Sequence, residues 1–186
     1  MIIKSKNIYL KDGFCEASIS VENGVISSVC NNKLFFNQDT IDYKDFYIIP
    51  GLIDIHSHGC NGHDFCEGTK AALDLITQYQ IQHGVTSFCP TTMTFTEEIL
   101  VPIMQNAANY KNDDTCEIVG INMEGPFISK DKIGAQNPDY VQAPDFDMLE
   151  RLQESANGLI KLVDIAPEID GAVDFIRKAK DKYIIS

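Results

Sequence analysis

From Gly51 onward the chain alternates short apolar runs with amphipathic stretches, and this alternation limits its possible folds more than any other feature. Leu52 to His56 reads as a strand. Over residues 70–83, Ala72, Leu75, Ile76 and Tyr79 recur at the helical period, and Gly84 stands where a helix C-terminus wants a glycine. Thr86 to Pro90 reads as a second strand. Thr94 and Glu97 have the spacing of a capping box for a helix continued by Ile99, Ile103 and Ala107, in which Pro102 forces a kink or a later start. Residues 117–123 make a third strand. A helix over 146–156 follows, with Phe146, Leu149, Leu152 and Ala156 on one side and Gly158 at its end. Leu159 to Ala166 is a fourth strand, Asp170 caps a helix reaching about Lys182, and Tyr183 to Ile185 open a fifth strand. The order βαβαβαβαβ belongs to a parallel sheet with crossover helices. It fits an open doubly wound sheet, and it equally fits about half of a (β/α)8 barrel.

Residues 1–50 follow a different rule. Ala17 to Val21 and Val25 to Val29 alternate apolar and polar residues on either side of Asn23-Gly24, a hairpin signal. Tyr47-Ile48-Ile49 runs into Pro50-Gly51, which interrupts regular structure. Two domains are therefore expected: a small β domain over 1–50, sandwich-like, and an α/β domain over 51–186.

Composition narrows the function classes. Asp and Glu number 27 against 15 Lys and Arg, a net charge of −12. Such a surface repels nucleic-acid phosphates and anionic lipid. The densest basic cluster, Arg177-Lys178-Ala179-Lys180, is followed by Asp181 and reads as one solvated helix face. Neither nucleic acid nor membrane is expected as a partner. Residues 1–6 do not resemble a secretion signal, and no apolar run approaches the ~18 residues of a membrane span. The six cysteines are then expected as free thiols in a cytoplasmic protein.

The sharpest chemical signal is His56-Ser57-His58 at the end of the first strand after Gly51. Residues two apart on a strand point to the same side, so two imidazoles can converge on one cation. Asp54 would share that face. Two solvent-facing histidines are the alternative reading of the same spacing. Glu124, in Asn122-Met123-Glu124-Gly125-Pro126, ends the third strand. In a barrel, alternate strands contribute to one layer, which would bring Glu124 to the histidine pair. Elsewhere it would be a solvated carboxylate. Cys60, His63 and Cys66 follow C-x2-H-x2-C, too tight to close a structural zinc site alone. Cys89 reads as a small core residue. No phosphate-cradling glycine loop and no Gly-x-Ser-x-Gly elbow occurs.

Pro50 to Gly59 resembles the opening barrel strand of the amidohydrolase superfamily. Gly84 to Thr92, Asn122 to Ile128, Lys132 to Pro138 and Ala166-Pro167-Glu168, in that order, are similar to the N-acetylglucosamine-6-phosphate deacetylase family within it. The resemblance runs over the whole chain. It implies an α/β fold of the (β/α)8 TIM-barrel type beside a small β domain. It implies hydrolysis of the acetyl amide of N-acetylglucosamine 6-phosphate in amino-sugar catabolism. Glu124 then corresponds to the metal-ligating glutamate and His56 and His58 to the H-x-H pair. The ion would be divalent, zinc in the first place, with iron, manganese or cobalt as alternatives. The substrate-contacting loop maps onto Gly134, Ala135 and Gln136, with Ala135 acting through its main chain and Gln136 standing where histidine is frequent. Lys130 and Lys132 are candidates for the sugar phosphate.

An amide is a poor electrophile at neutral pH, and such chemistry also needs a group that takes and returns a proton. The resemblance assigns that role to an aspartate, and two further ligand roles to histidines, all expected beyond Ser186. The chain is thus expected to be the first half of a longer homodimeric enzyme and inactive alone. It contains no catalytic residue of its own by this reading. Two other readings remain: a cyclic-amide hydrolase, which a carbamylated lysine ligand would suit better than Glu124, and a non-catalytic metal-binding fragment. A half-built sheet exposing its apolar face and strand edges is expected to associate.

Overall fold

Left-handed backbone at two successive residues explains the turn between the second and third strands. Asn23 and Gly24 have φ of 52° and 78°. This is the turn geometry that matches strand twist. It joins β2 (Gly13–Glu22) to β3 (Val25–Asn31), with Glu22 facing Val25. β1 (Ile2–Leu10) pairs antiparallel with β2, while β4 (Thr40–Asp42) and β5 (Tyr47–Ile48) both run parallel to β1. The described strands of this part form one sheet. The structure, a computed structural model, describes residues 1–31 and 39–186. The chain divides into two units, Met1–Pro50 and Gly51–Ser186.

In the second unit, β6 (Leu52–Ser57) leads through a short hairpin, β7 (Gly59–Cys60) and β8 (His63–Asp64), to α1 (Lys70–Gln82). β9 (Val85–Pro90) and α2 (Glu97–Asn109) follow. The third strand is split at Val119–Gly120 into β10 (Glu117–Ile118) and β11 (Ile121–Glu124). After a long loop come α3 (Phe146–Ser155), β12 (Ile160–Asp164), α4 (Ala172–Ala179) and β13 (Ile184–Ile185).

The strands pair in parallel as β6–β9–β10 and as β11–β12–β13. A parallel bridge between Thr91 and Asn122, and a Val119 N–H donated to the Phe88 carbonyl at 3.0 Å, connect the two groups. Neighbours in space are therefore neighbours in sequence. Apolar side chains from the strands and helices meet in one core that includes Leu100, Met104, Met123, Phe127, Leu149, Leu152, Val163 and Phe175.

Several local expectations differ from the structure. In α1 the buried stripe is Ala72, Leu73, Ile76, Thr77 and Gln80, and Leu75 and Tyr79 are exposed. Gln80, on this buried stripe, reaches back to Asp54 of β6, its Nε2 donating to Oδ2 at 3.0 Å. The capping box at Thr94 does not form; Thr96 precedes the helix, and Pro102 lies inside it. Thr94 is instead buried against Gly125, where an added Cβ would lie 2.1 Å from its Oγ1. Gly171, with φ of 85°, precedes α4 rather than Asp170.

Candidate metal centre

β6 and β11 end at the same level of the sheet, and their terminal side chains meet. The Nε2 atoms of His56 and His58 lie 3.3 and 2.9 Å from one oxygen, Glu124 Oε2. One potential ligand atom from each residue falls within 4.8 Å of the others. The two imidazole rings stand edge to face, 5.7 Å apart at 88°. His58 is held by its other nitrogen: Nδ1 lies 3.1 Å from the Thr91 carbonyl, which can only accept. That contact puts the proton on Nδ1 and turns the Nε2 lone pair towards Glu124. This is the tautomer a metal ligand requires.

The strand that carries His56 is locally irregular. The β6–β9 register shifts between Asp54 and Ser57. Asp54, expected on the histidine face, instead accepts the His56 N–H at 3.1 Å through Oδ1 and the Gln80 amide through Oδ2. It supports the turn that presents His56 and does not join the centre.

Two residues the sequence reading did not single out complete the surroundings. Asp164 ends β12 and is paired with Glu124 in the strand register. Its Oδ2 lies 3.4 Å from His56 Nδ1. Asn122, buried on β11, donates from Nδ2 to the Ile55 carbonyl at 3.1 Å, and the same nitrogen lies 3.2 Å from His56 Nδ1. The signal for Asp164 was its place at a strand end beside Glu124, but no local motif marks it.

The electrostatics suit a cation. Glu124 Oε2 and Asp164 Oδ2 are both buried, and neither receives a hydrogen bond of good geometry despite the close imidazoles. Carboxylate oxygens accept and never donate when ionised, and leaving them buried and unsatisfied is costly. The two imidazole Nε2 atoms and the Glu124 carboxylate gathered round one point are a donor set for a divalent ion such as zinc.

Other candidates lie elsewhere. Cys60, His63 and Cys66 do not gather; among the described residues the metal-type cluster is that of His56, His58 and Glu124. His63 Nδ1 faces Glu67 Oε1 at 3.2 Å, and His83 stacks on Tyr79 at 4.1 Å. Cys66 Sγ accepts the Met93 N–H, and burial pushes its thiol up to about 12. Cys89 is buried, as a core residue should be. In the loop after β11, Gly134 and Ala135 are exposed, as are Lys130 and Lys132 in their short helical turn. Gln136 is buried and its Oε1 accepts the Thr94 N–H at 2.8 Å, tying this loop to the segment after β9.

The profile of the Amidohydrolase family matches residues 47–183. The chain belongs to the amidohydrolase family. It is 32% identical over 191 residues to an N-acetylglucosamine-6-phosphate deacetylase of Bacillus subtilis (strain 168), covering 99% of this chain and 47% of that protein. The crystal structure of N-acetylglucosamine-6-phosphate deacetylase from Pasteurella multocida superposes with a TM-score of 0.82 at 26% identity, over 100% of this chain and 50% of its own. That of the Mycobacterium smegmatis enzyme of the same name gives 0.89 at 22% identity, covering 100% and 53%, a likeness of fold. The chain spans about half the length of the relatives it matches. No helix among the described residues is long and apolar enough to cross a membrane.

Proposed function

We propose that this chain is the first half of a (β/α)8-barrel hydrolase that removes acetate from N-acetylglucosamine 6-phosphate, with a divalent ion held by His56, His58 and Glu124. The observation that carries the proposal is the meeting of both Nε2 atoms at Glu124 Oε2. The consecutive strand order supports a barrel, since a doubly wound sheet reverses its order at a switch point. The named relatives support the substrate.

In this reading His58 offers a fixed lone pair because Thr91 holds its opposite nitrogen. Glu124 supplies the negative charge, and its backbone is immobilised between buried Met123 and Gly125. When bound, a divalent ion supplies a water acidified to a pKa of about 7 and polarises the acetyl carbonyl. By the family resemblance, the protonation of the leaving amine falls to an aspartate outside this chain, while Glu124 is committed to the ion. Gly134 and Ala135 offer exposed backbone to the sugar, and Gln136 holds their loop in place. The complete protein would work as a cytoplasmic homodimer, with zinc as the favoured ion.

The test is acetate release by the longer protein carrying this chain, with zinc, iron, manganese or cobalt supplied in turn. Release that a chelator stops and a divalent ion restores is the expected result. No release with any of the four ions would overturn the assignment.

A further inference from the structure

His56 Nδ1 has two neighbours, and they ask opposite things of it. Asn122 Nδ2 stands 3.2 Å away and Asp164 Oδ2 3.4 Å away. The orientation of the Asn122 amide is fixed by its donation to the Ile55 carbonyl at 3.1 Å, because the flipped amide would set two acceptor oxygens against each other. A donor therefore faces Nδ1. If Asn122 supplied the proton, Nδ1 would be an acceptor, and the imidazole proton would sit on Nε2, pointing at Glu124 Oε2 at 3.3 Å. That tautomer cannot ligate a cation through Nε2. The ligating tautomer carries its proton on Nδ1 and needs an acceptor there. The acceptor the structure offers is Asp164 Oδ2, which is buried and receives no hydrogen bond.

We infer that Asp164 is a positioning residue for His56: it accepts the Nδ1–H and thereby holds the imidazole in the tautomer and orientation that present Nε2 to the ion. The inference rests on the proposed metal centre at His56, His58 and Glu124. A backbone feature supports it independently. Asp164 and Glu124 are register partners on adjacent parallel strands, so the acceptor for Nδ1 and the oxygen facing Nε2 are fixed to one rigid unit, on opposite edges of the same ring. Carboxylates that accept from a ligating histidine typically account for ten- to a hundredfold in metal affinity. His58 uses a backbone carbonyl for the same purpose and has no need of a second carboxylate.

The experiment measures cobalt(II) affinity by competition with a chromophoric chelator, together with the visible spectrum of the cobalt-loaded protein. Asp164→Asn keeps the shape and removes the charge; Asp164→Ala removes the acceptor as well. Expected is a loss of about tenfold for Asp164→Asn and nearer a hundredfold for Asp164→Ala. The band intensities of the cobalt spectrum should be unchanged at saturation, because the set of ligands is the same. In a His56→Ala background, adding Asp164→Ala should have no further effect on affinity. A direct ligand, or a carboxylate acting only by its charge, would lower affinity in that background too, and this outcome overturns the inference. Unchanged affinity in the single variants overturns it equally. Failure of the unsubstituted protein to bind cobalt would instead sink the metal centre itself, and the inference with it. Should Asp164→Ala unfold, Asp164→Asn carries the same comparison.

Discussion

The proposed centre joins two regions of one sheet that are packed in opposite ways. Glu124 and Asp164 stand on β11 and β12, whose residues Ile121, Met123, Ile160 and Val163 are buried between neighbouring strands and helices. His56 lies at the end of β6 and His58 follows it; β6 is an outer strand of the sheet, where Ile53 and Ile55 are 64% and 52% exposed. The carboxylate side is preset by the core. The imidazole side depends on a handful of polar contacts: Asp54 to the His56 N–H, Gln80 to Asp54, and Thr91 to His58 and to the Ser57 N–H. A rigid anion thus waits for more lightly held imidazoles, and binding of an ion should tighten β6 more than β11.

The largest expected effect comes from the shared atom. Glu124→Gln keeps the side chain's shape but removes the charge and one acceptor that both imidazoles face. Metal affinity should fall beyond the roughly hundredfold that losing a supporting partner costs, and titration calorimetry should find no high-affinity site. Thermal unfolding without metal should change little or rise, since a buried, unsatisfied charge has been removed. A variant that binds as before would mean the imidazoles alone hold the ion. Next comes the core under the carboxylates. Leu152→Ala on α3 removes a fully buried side chain and should cost about 2–5 kcal/mol in denaturant unfolding. Gly125→Ala, with φ of 72° and Thr94 Oγ1 2.1 Å from the new Cβ, combines backbone strain with overpacking, and about 2 kcal/mol or more is expected.

The same contrast explains what was legible in the sequence. The order of elements was, because the apolar period changes from two to 3.6 wherever the core changes partner. His56, His58 and Glu124 were, because strand ends in parallel folds converge. Asp164 and Asn122 were not: each is a single polar residue in an apolar run, and only the pairing of β11 with β12 and the bridge to Thr91 set them beside His56. The face of Asp54 was misjudged because strict alternation holds only for regular strands, and the β6 register shifts between Asp54 and Ser57. Thr94 had the spacing of a cap but the surroundings of a packing residue, and the close approach of Gly125 settles which role it takes.

The smallest expected effect sharpens the comparison most. Ile53 on β6 is more exposed than any of the large side chains in the core strands, so Ile53→Ala should change unfolding free energy by less than about 0.5 kcal/mol if this face meets water. Ile184 on β13, the other outer strand, is also 64% exposed and should behave alike. The measurement is denaturant unfolding at two protein concentrations tenfold apart. A small cost independent of concentration fits outer strands whose apolar side chains face solvent. A cost of about 2 kcal/mol that grows with concentration would mean that these faces are covered by association, since burial against a second chain restores the transfer energy that exposure denies. In that case the imidazole side of the centre would be as firmly held as the carboxylate side, and the difference between the two regions would vanish in the assembled protein.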